Sequence, residues 1–169
     1  VLARGTDWML DHSGTVRGKI WEESPLGNKG DHPLAQMKVS RIGGGGGSTH
    51  TDTNGQYSFS GTGDVQINGN LEGKFCKIQN MAGPVIDRTA NGSNNNPINL
   101  NFDAVNVSDL AQVTAYFWTN FAHDFSSKII PNGSILDQPL LTRVNINDSC
   151  NAYWNGNSIN FFREGSCPN

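Results

Sequence analysis

Turn-forming residues recur so often between positions 14 and 80 that only short strands fit between them. In Thr15-Val16-Arg17-Gly18-Lys19-Ile20-Trp21, Val16 and Ile20 fall on one face of an extended chain. Met37 with Val39, Val65 with Ile67, and Phe75 with Ile78 supply further strand-like pairs. Asp52-Thr53-Asn54-Gly55 reads as a tight turn, because Asn and Gly tolerate positive φ, and it delivers the chain into the alternating Gln56-Tyr57-Ser58-Phe59. The same Asp-x-Asn-Gly could open a calcium loop, but the downstream Glu is missing. The five glycines at 43–47 are too flexible to hold a structure alone and belong at a hairpin tip or loop. A phosphate-cradling loop would need the Lys-Ser/Thr ending and the following helix that are absent here.

Composition sets the outer bounds. The 169 residues can bury a proper core, and 20 glycines with a mean hydropathy of -0.46 describe a turn-rich, polar-surfaced chain rather than a helical bundle. Twelve basic against fifteen acidic residues leave no basic footprint for general nucleic-acid binding. No apolar run approaches the roughly 20 residues that span a bilayer as a helix. Val1 stands where an initiator Met would, and residues 1–13 form an N-terminal extension in which Trp8 and Leu10 are candidates for docking onto a neighbouring subunit. This start predicts a processed chain or a fragment.

Residues 81–106 read as an Asn-rich connecting segment, a loop by composition with a domain boundary inside it. Beyond it, Leu110, Val113, Phe117, Phe121 and Phe125 fall on one helical stripe. Ala111, Trp118 and Ala122 widen the apolar arc, so a helix buried against a sheet is predicted. Ser108 or Asn106 can cap its start, and Pro131-Asn132-Gly133 ends it. Asp124 shares the helical angle of Leu110 and Phe117 and should find a partner, whereas His123 reads as an ordinary rim residue. Two further alternating runs, at 141–146 and 158–163, flank Asn155-Gly156, another tight turn, and predict an antiparallel unit. Of the three cysteines, Cys150 and Cys167 would pair most simply in a secreted protein and staple that unit. Cys76 is left as a small buried hydrophobe, against intermolecular pairing or a reactive thiol. Four Asn-x-Ser sequons, at Asn91, Asn106, Asn132 and Asn147, could carry glycans after secretion.

Two resemblances sharpen this reading. Gly14-Thr15-Val16-Arg17-Gly18, then Pro33-Leu34-Ala35-Gln36-Met37-Lys38-Val39, then Thr51-Asp52-Thr53-Asn54-Gly55-Gln56-Tyr57-Ser58-Phe59, resemble the carboxypeptidase regulatory-like domain. That is a small transthyretin-like β-sandwich which binds, spaces or stabilises and carries no catalytic residues. Gln36 stands where that family usually has Gly. Residues 111–124 and the run Asn151-Ala152-Tyr153-Trp154-Asn155-Gly156 resemble the part of secreted thermolysin- and fungalysin-type zinc metallopeptidases that precedes their HExxH helix. The second resemblance implies that Asn151, Ala152, Tyr153 and Trp154 lie on an edge strand that pairs with a substrate or partner backbone.

The departure from that family decides the functional expectation. Zinc needs three protein ligands and an open position, and His12, His32, His50 and His123 include no helical i, i+4 pair. There is no GxSxG elbow either. No metal, cofactor or catalytic group is assigned to this chain; zinc would belong to a later segment, and calcium at the Asn-rich loops is left open. The expected architecture is mainly β (α+β): a small antiparallel β-sandwich at 14–80, then at 107–169 one buried helix packed on a disulfide-stapled antiparallel hairpin. The expected role is a secreted, non-catalytic structural or interaction protein. It would self-associate, or join another extracellular protein, through the exposed strand edge, in an assembly that could be filamentous. The alternatives are the non-catalytic N-terminal part of a secreted zinc endopeptidase, and a carbohydrate-binding module using Trp8, Trp21, Trp118 or Trp154.

Overall fold

The structure, a computed structural model, describes residues 11–24, 27–94, 96–130, 136–149 and 151–163. The strands β1 (Asp11–Trp21), β2 (Lys29–Pro33), β3 (Met37–Ile42), β4 (Ser48–His50), β5 (Gln56–Ser60), β6 (Asp64–Gly73), β7 (Cys76–Asn80), β8 (Asp87–Ser93) and β9 (Leu100–Phe102) precede the helix α1 (Val107–Ile129). Three strands follow it: β10 (Leu140–Ser149), β11 (Ala152–Trp154) and β12 (Ser158–Arg163). The described chain is therefore mainly β, as its turn punctuation requires.

Two sheets share these strands. In the four-stranded sheet β1 lies between antiparallel β2 and β5 and takes β9 in parallel. The eight-stranded sheet runs β11-β12-β10-β7-β6-β3-β4, with β8 also paired to β6. Alternation builds the core: Val16 and Ile20 of β1 and Tyr57 and Phe59 of β5 bury in one cluster with Met37, Val39, Val65, Ile67 and Leu71 of the larger sheet. Two sheets facing one apolar layer are consistent with a β-sandwich.

Turn chemistry does what its residues imply. The Asp52 Oδ1 accepts from the backbone N–H of Asn54 and of Gln56, both at 2.8 Å. Gly55 has φ +74°, and a Cβ there would meet the Val16 carbonyl at 2.4 Å. The glycines at 43–47 connect β3 to β4, all with positive φ.

Three expectations are corrected. The stretch read as a loop contains β8 and β9. β8 alternates in burial, with Arg88, Ala90 and Gly92 half-buried between exposed Asp87, Thr89 and Asn91, but its inward residues are not an apolar run that a hydrophobicity pattern would mark, and pairing to β6 holds it in place. The runs 141–146 and 158–163 pair in parallel, Leu141 with Ser158 and Thr142 with Ile159. The antiparallel hairpin is instead β11 with β12 across the Asn155-Gly156 turn, since alternation fixes faces but not strand direction. β10 also pairs in parallel with β7, Leu140 with Cys76, so segments 14–80 and 107–169 share the larger sheet. The disulfide staple has no support: Cys76 is free and buried, and Cys150 and Cys167 lie outside the described residues.

The third correction concerns α1. Asn106 caps it, accepting from the Asp109 N–H at 2.9 Å, and it packs over both sheets. A Cβ on Gly18 would lie 2.6 Å from Val113 Cγ1, so a glycine in β1 is what lets the helix sit this close. Leu110 and Val113 are buried as expected, but with Gln112, Tyr116, Thr119 and Asn120, while Phe121 and Phe125 of the expected stripe face outward. Most of these buried polar groups find partners, and Asn120 does so through Nδ2 alone, its Oδ1 having none among the described residues. Gln112 accepts from the Ile86 N–H at 3.0 Å, Tyr116 donates to the Ala35 carbonyl at 3.1 Å, and the Thr119 and Thr142 hydroxyls meet at 3.3 Å. Satisfied polar groups can occupy a core that a hydrophobicity pattern reserves for apolar ones.

Candidate functional site

β11 is the last strand of the larger sheet and owes its position to the turn that follows it. Asn155 Oδ1 accepts from the N–H groups of Asn157 at 3.0 Å and Ser158 at 2.8 Å, with the Ser158 hydroxyl 3.2 Å away. Gly156 takes φ +95°. The returning strand is held from below by buried Asn160, whose Nδ2 donates to the Tyr153 carbonyl at 3.3 Å and the Ser158 carbonyl at 2.8 Å.

Hydrogen bonding sets which way the edge faces. Phe162 N–H donates to the Asn151 carbonyl at 3.0 Å, and Asn155 N–H donates to the Ser158 carbonyl at 3.3 Å. Residues 151, 153 and 155 therefore turn their backbone groups toward β12, and alternation turns those of Ala152 and Trp154 outward. The Ala152 N–H is taken by the Asn151 side chain at 2.8 Å. The free edge thus presents one donor, the Trp154 N–H, and two acceptors, the carbonyls of Ala152 and Trp154. An added strand could use them as the next rung of the sheet.

Side chains at this edge are apolar and exposed. Tyr153 is 44% and Trp154 57% accessible. Trp154 lies opposite Ile159, which pairs with Thr142, and Thr142 touches Thr119 of α1; Trp154 therefore lies on the α1 side of the sheet. Tyr153 lies on the other side, its ring 5.8 Å from that of Phe162. The four positions expected at a partner edge, Asn151, Ala152, Tyr153 and Trp154, are thus brought together on one exposed strand end.

A second apolar surface was not legible as such. On α1, Phe117, Trp118 and Phe121 are in mutual ring contact, and the Trp118 Nε1 donates to the Trp21 carbonyl at 3.1 Å. Phe121 and Phe125 are 54% and 58% accessible, and Ile129 continues the face. Spacing identified these residues as a stripe but could not say that the sheets lie under the neighbouring face of the helix.

The remaining candidates scatter. His123, expected at the rim, is nearly buried. It stacks on Phe75 at 3.5 Å, with Nδ1 3.2 Å from Asp124 and Nε2 3.1 Å from Asp137, so its carboxylate neighbours are Asp124 and Asp137. Asp124 itself is half-exposed rather than turned into the core. Burial pushes the Cys76 thiol up to about 12 despite hydrogen bonding to Thr142, which makes it a poor nucleophile. Among the described residues no group of three His, Cys, Asp or Glu side chains could hold a metal ion, so they do not fit a zinc site. No helix among them is long and apolar enough to cross a membrane. Asn91 on β8, the capping Asn106 and Asn147 on β10 are exposed, while Asn132, Trp8 and Leu10 lie outside the described residues. Of the tryptophans weighed for sugar stacking, Trp21 is buried and Trp118 is tied to it.

No family model matches the chain. Neither a curated protein nor a solved structure matches it. The resemblances therefore rest on the motif residues themselves.

Proposed function

We propose that this chain is a non-catalytic interaction module, secreted and acting in a larger assembly, which associates with further copies by strand addition along β11. The observation that carries this reading is the outward set of backbone groups on Ala152 and Trp154, flanked by exposed Tyr153 and Trp154. Main-chain hydrogen bonds would supply affinity and the two aromatic side chains, one per face, would supply specificity. An apolar edge of this kind is a feature that monomeric proteins normally cover or blunt. The regulatory-like and metallopeptidase-like motifs support an extracellular scaffold role in the same direction. Electron microscopy and sedimentation of the purified protein across a concentration series test it. Oligomers or filaments are expected, and a monomer at every concentration would count against self-assembly.

A second reading is favoured by one specific observation, the uncovered aromatic face of Phe121 and Phe125 on α1. In it the chain is the non-catalytic N-terminal part of a secreted zinc endopeptidase, whose catalytic half would cover that face and supply the zinc. The intact mass of the protein from its natural source discriminates. A deglycosylated mass near 18.3 kDa would refute this reading, and a mass larger by a further domain would support it.

A further inference from the structure

We infer that Asn155-Gly156, at the tip of the β11–β12 hairpin, is a site of spontaneous deamidation, and that the native fold opens it while closing the other described Asn-Gly pairs. In this chemistry the backbone nitrogen of the glycine attacks the side-chain Cγ of the preceding asparagine. The new N–Cγ bond closes a succinimide, the Cγ–Nδ2 bond breaks, and ammonia leaves with the proton that the glycine nitrogen gives up. Water then opens the ring at either carbonyl, leaving aspartate or isoaspartate at position 155. No oxidant or metal enters the balance.

The sequence holds four such pairs among the described residues: Asn54-Gly55, Asn68-Gly69, Asn91-Gly92 and Asn155-Gly156. Local sequence alone does not separate them, and the fold does. Asn155 and Gly156 are both exposed, and nothing lies within 4 Å of the position a Cβ on Gly156 would take. The Gly156 N–H has no partner among the described residues, so the nucleophile is free. Two backbone donors converge on Asn155 Oδ1, the Asn157 N–H at 3.0 Å and the Ser158 N–H at 2.8 Å, with the Ser158 hydroxyl 3.2 Å away and shared with Asn160 Oδ1. They polarise the carbonyl under attack and stabilise the negative charge that develops on its oxygen, as an oxyanion hole does.

The other pairs lack one or both features. Gly55 is buried and its N–H donates to the Asp52 carbonyl at 3.0 Å, so attack at Asn54 must first break the turn. Asn68 and Asn91 lie inside β6 and β8, where extended backbone turns the following N–H away from the side chain. Asn68 Nδ2 is further held by the Thr89 hydroxyl at 3.0 Å. Conversion at 155 matters because isoaspartate lengthens the backbone by one methylene in the turn that sets which groups of β11 face outward. This inference does not depend on what the edge binds.

The purified protein is held in mildly alkaline buffer at physiological temperature, and peptide mapping resolves asparagine, aspartate and isoaspartate at each position over time. Position 155 is expected to convert about tenfold or more faster than 54, 68 or 91, the factor that one hydrogen bond's worth of barrier gives. In concentrated urea the four rates should converge. Asn155→Gln, which disfavours the five-membered ring, should abolish the early product. Asn54 or Asn91 keeping pace with Asn155 in the native protein, or an unchanged ranking in urea, would overturn the assignment.

Discussion

Arg41 holds the Gly46 carbonyl with two donors, Nε at 3.1 Å and Nη2 at 2.9 Å. The same guanidinium donates through Nη1 to the Ser60 carbonyl at 2.9 Å and lies 4.9 Å over the Phe59 ring. Five successive glycines have no side chains with which to choose a conformation, and here a residue of the preceding strand chooses for them. His12 completes the support from β1: its Nε2 donates to the Gly63 carbonyl at 2.8 Å, leaving Nδ1 to accept from Arg41 at 3.3 Å.

Arg41→Ala should therefore cost about 1–3 kcal/mol, the combined effect of several hydrogen bonds and a cation–π contact in a half-buried setting. It should also open residues 43–47 to limited proteolysis. Arg41→Lys should recover little, because an ammonium cannot reproduce the two-donor fork. Denaturant titration and protease mapping read both, and an unchanged cleavage pattern in Arg41→Ala would mean that the loop is held by something else.

The orientation of α1 makes an ordered prediction. Leu110→Ala removes a buried side chain and should cost about 2–5 kcal/mol. Phe125→Ser changes an exposed one and should stay within about 0.5 kcal/mol. Urea melts of the two variants test the placement, and a reversed order would restore the stripe expected from spacing alone.

Stability should also fall in alkali. Cys76 carries its proton in the fold up to about 12, above an ordinary value of 9. The unfolded state therefore loses that proton first as pH rises through 9, and unfolding becomes progressively easier until the folded thiol titrates too. Burial raises Tyr57 and Tyr116 in the same direction. Cys76→Ala should flatten the alkaline slope relative to the parent. In the parent at neutral pH, a thiol-alkylating reagent should label Cys76 only after denaturant is added.

How much was legible depends on what each element used to hold itself. β1 and β5 could be read because one face of each is buried, and the Asp52 turn because its side chain and Gly55 specify it. β8 could not, since Asp87, Thr89 and Asn91 face solvent and the strand is fixed by the backbone of β6. The existence of α1 followed from spacing, with Asn106 one of two cap candidates, but its facing did not, because Gln112 and Asn120 are polar and yet buried. The Asn155-Gly156 turn expected from sequence does join β11 to β12, and β11 lies at the edge of the larger sheet. Its outward backbone groups could be identified only from the hydrogen bonds of Asn151 and Asn155.

The central claim is that the free rung of β11 joins this protein to a further strand, and Trp154→Pro tests it most directly. Proline there removes the outward N–H without removing a bond to β12, and proline is tolerated on an edge strand. Trp154→Ala controls for the lost indole. Sedimentation is expected to show association in the parent, weaker association in Trp154→Ala, and a folded monomer in Trp154→Pro. Association of Trp154→Pro equal to that of the parent would contradict strand addition at this edge.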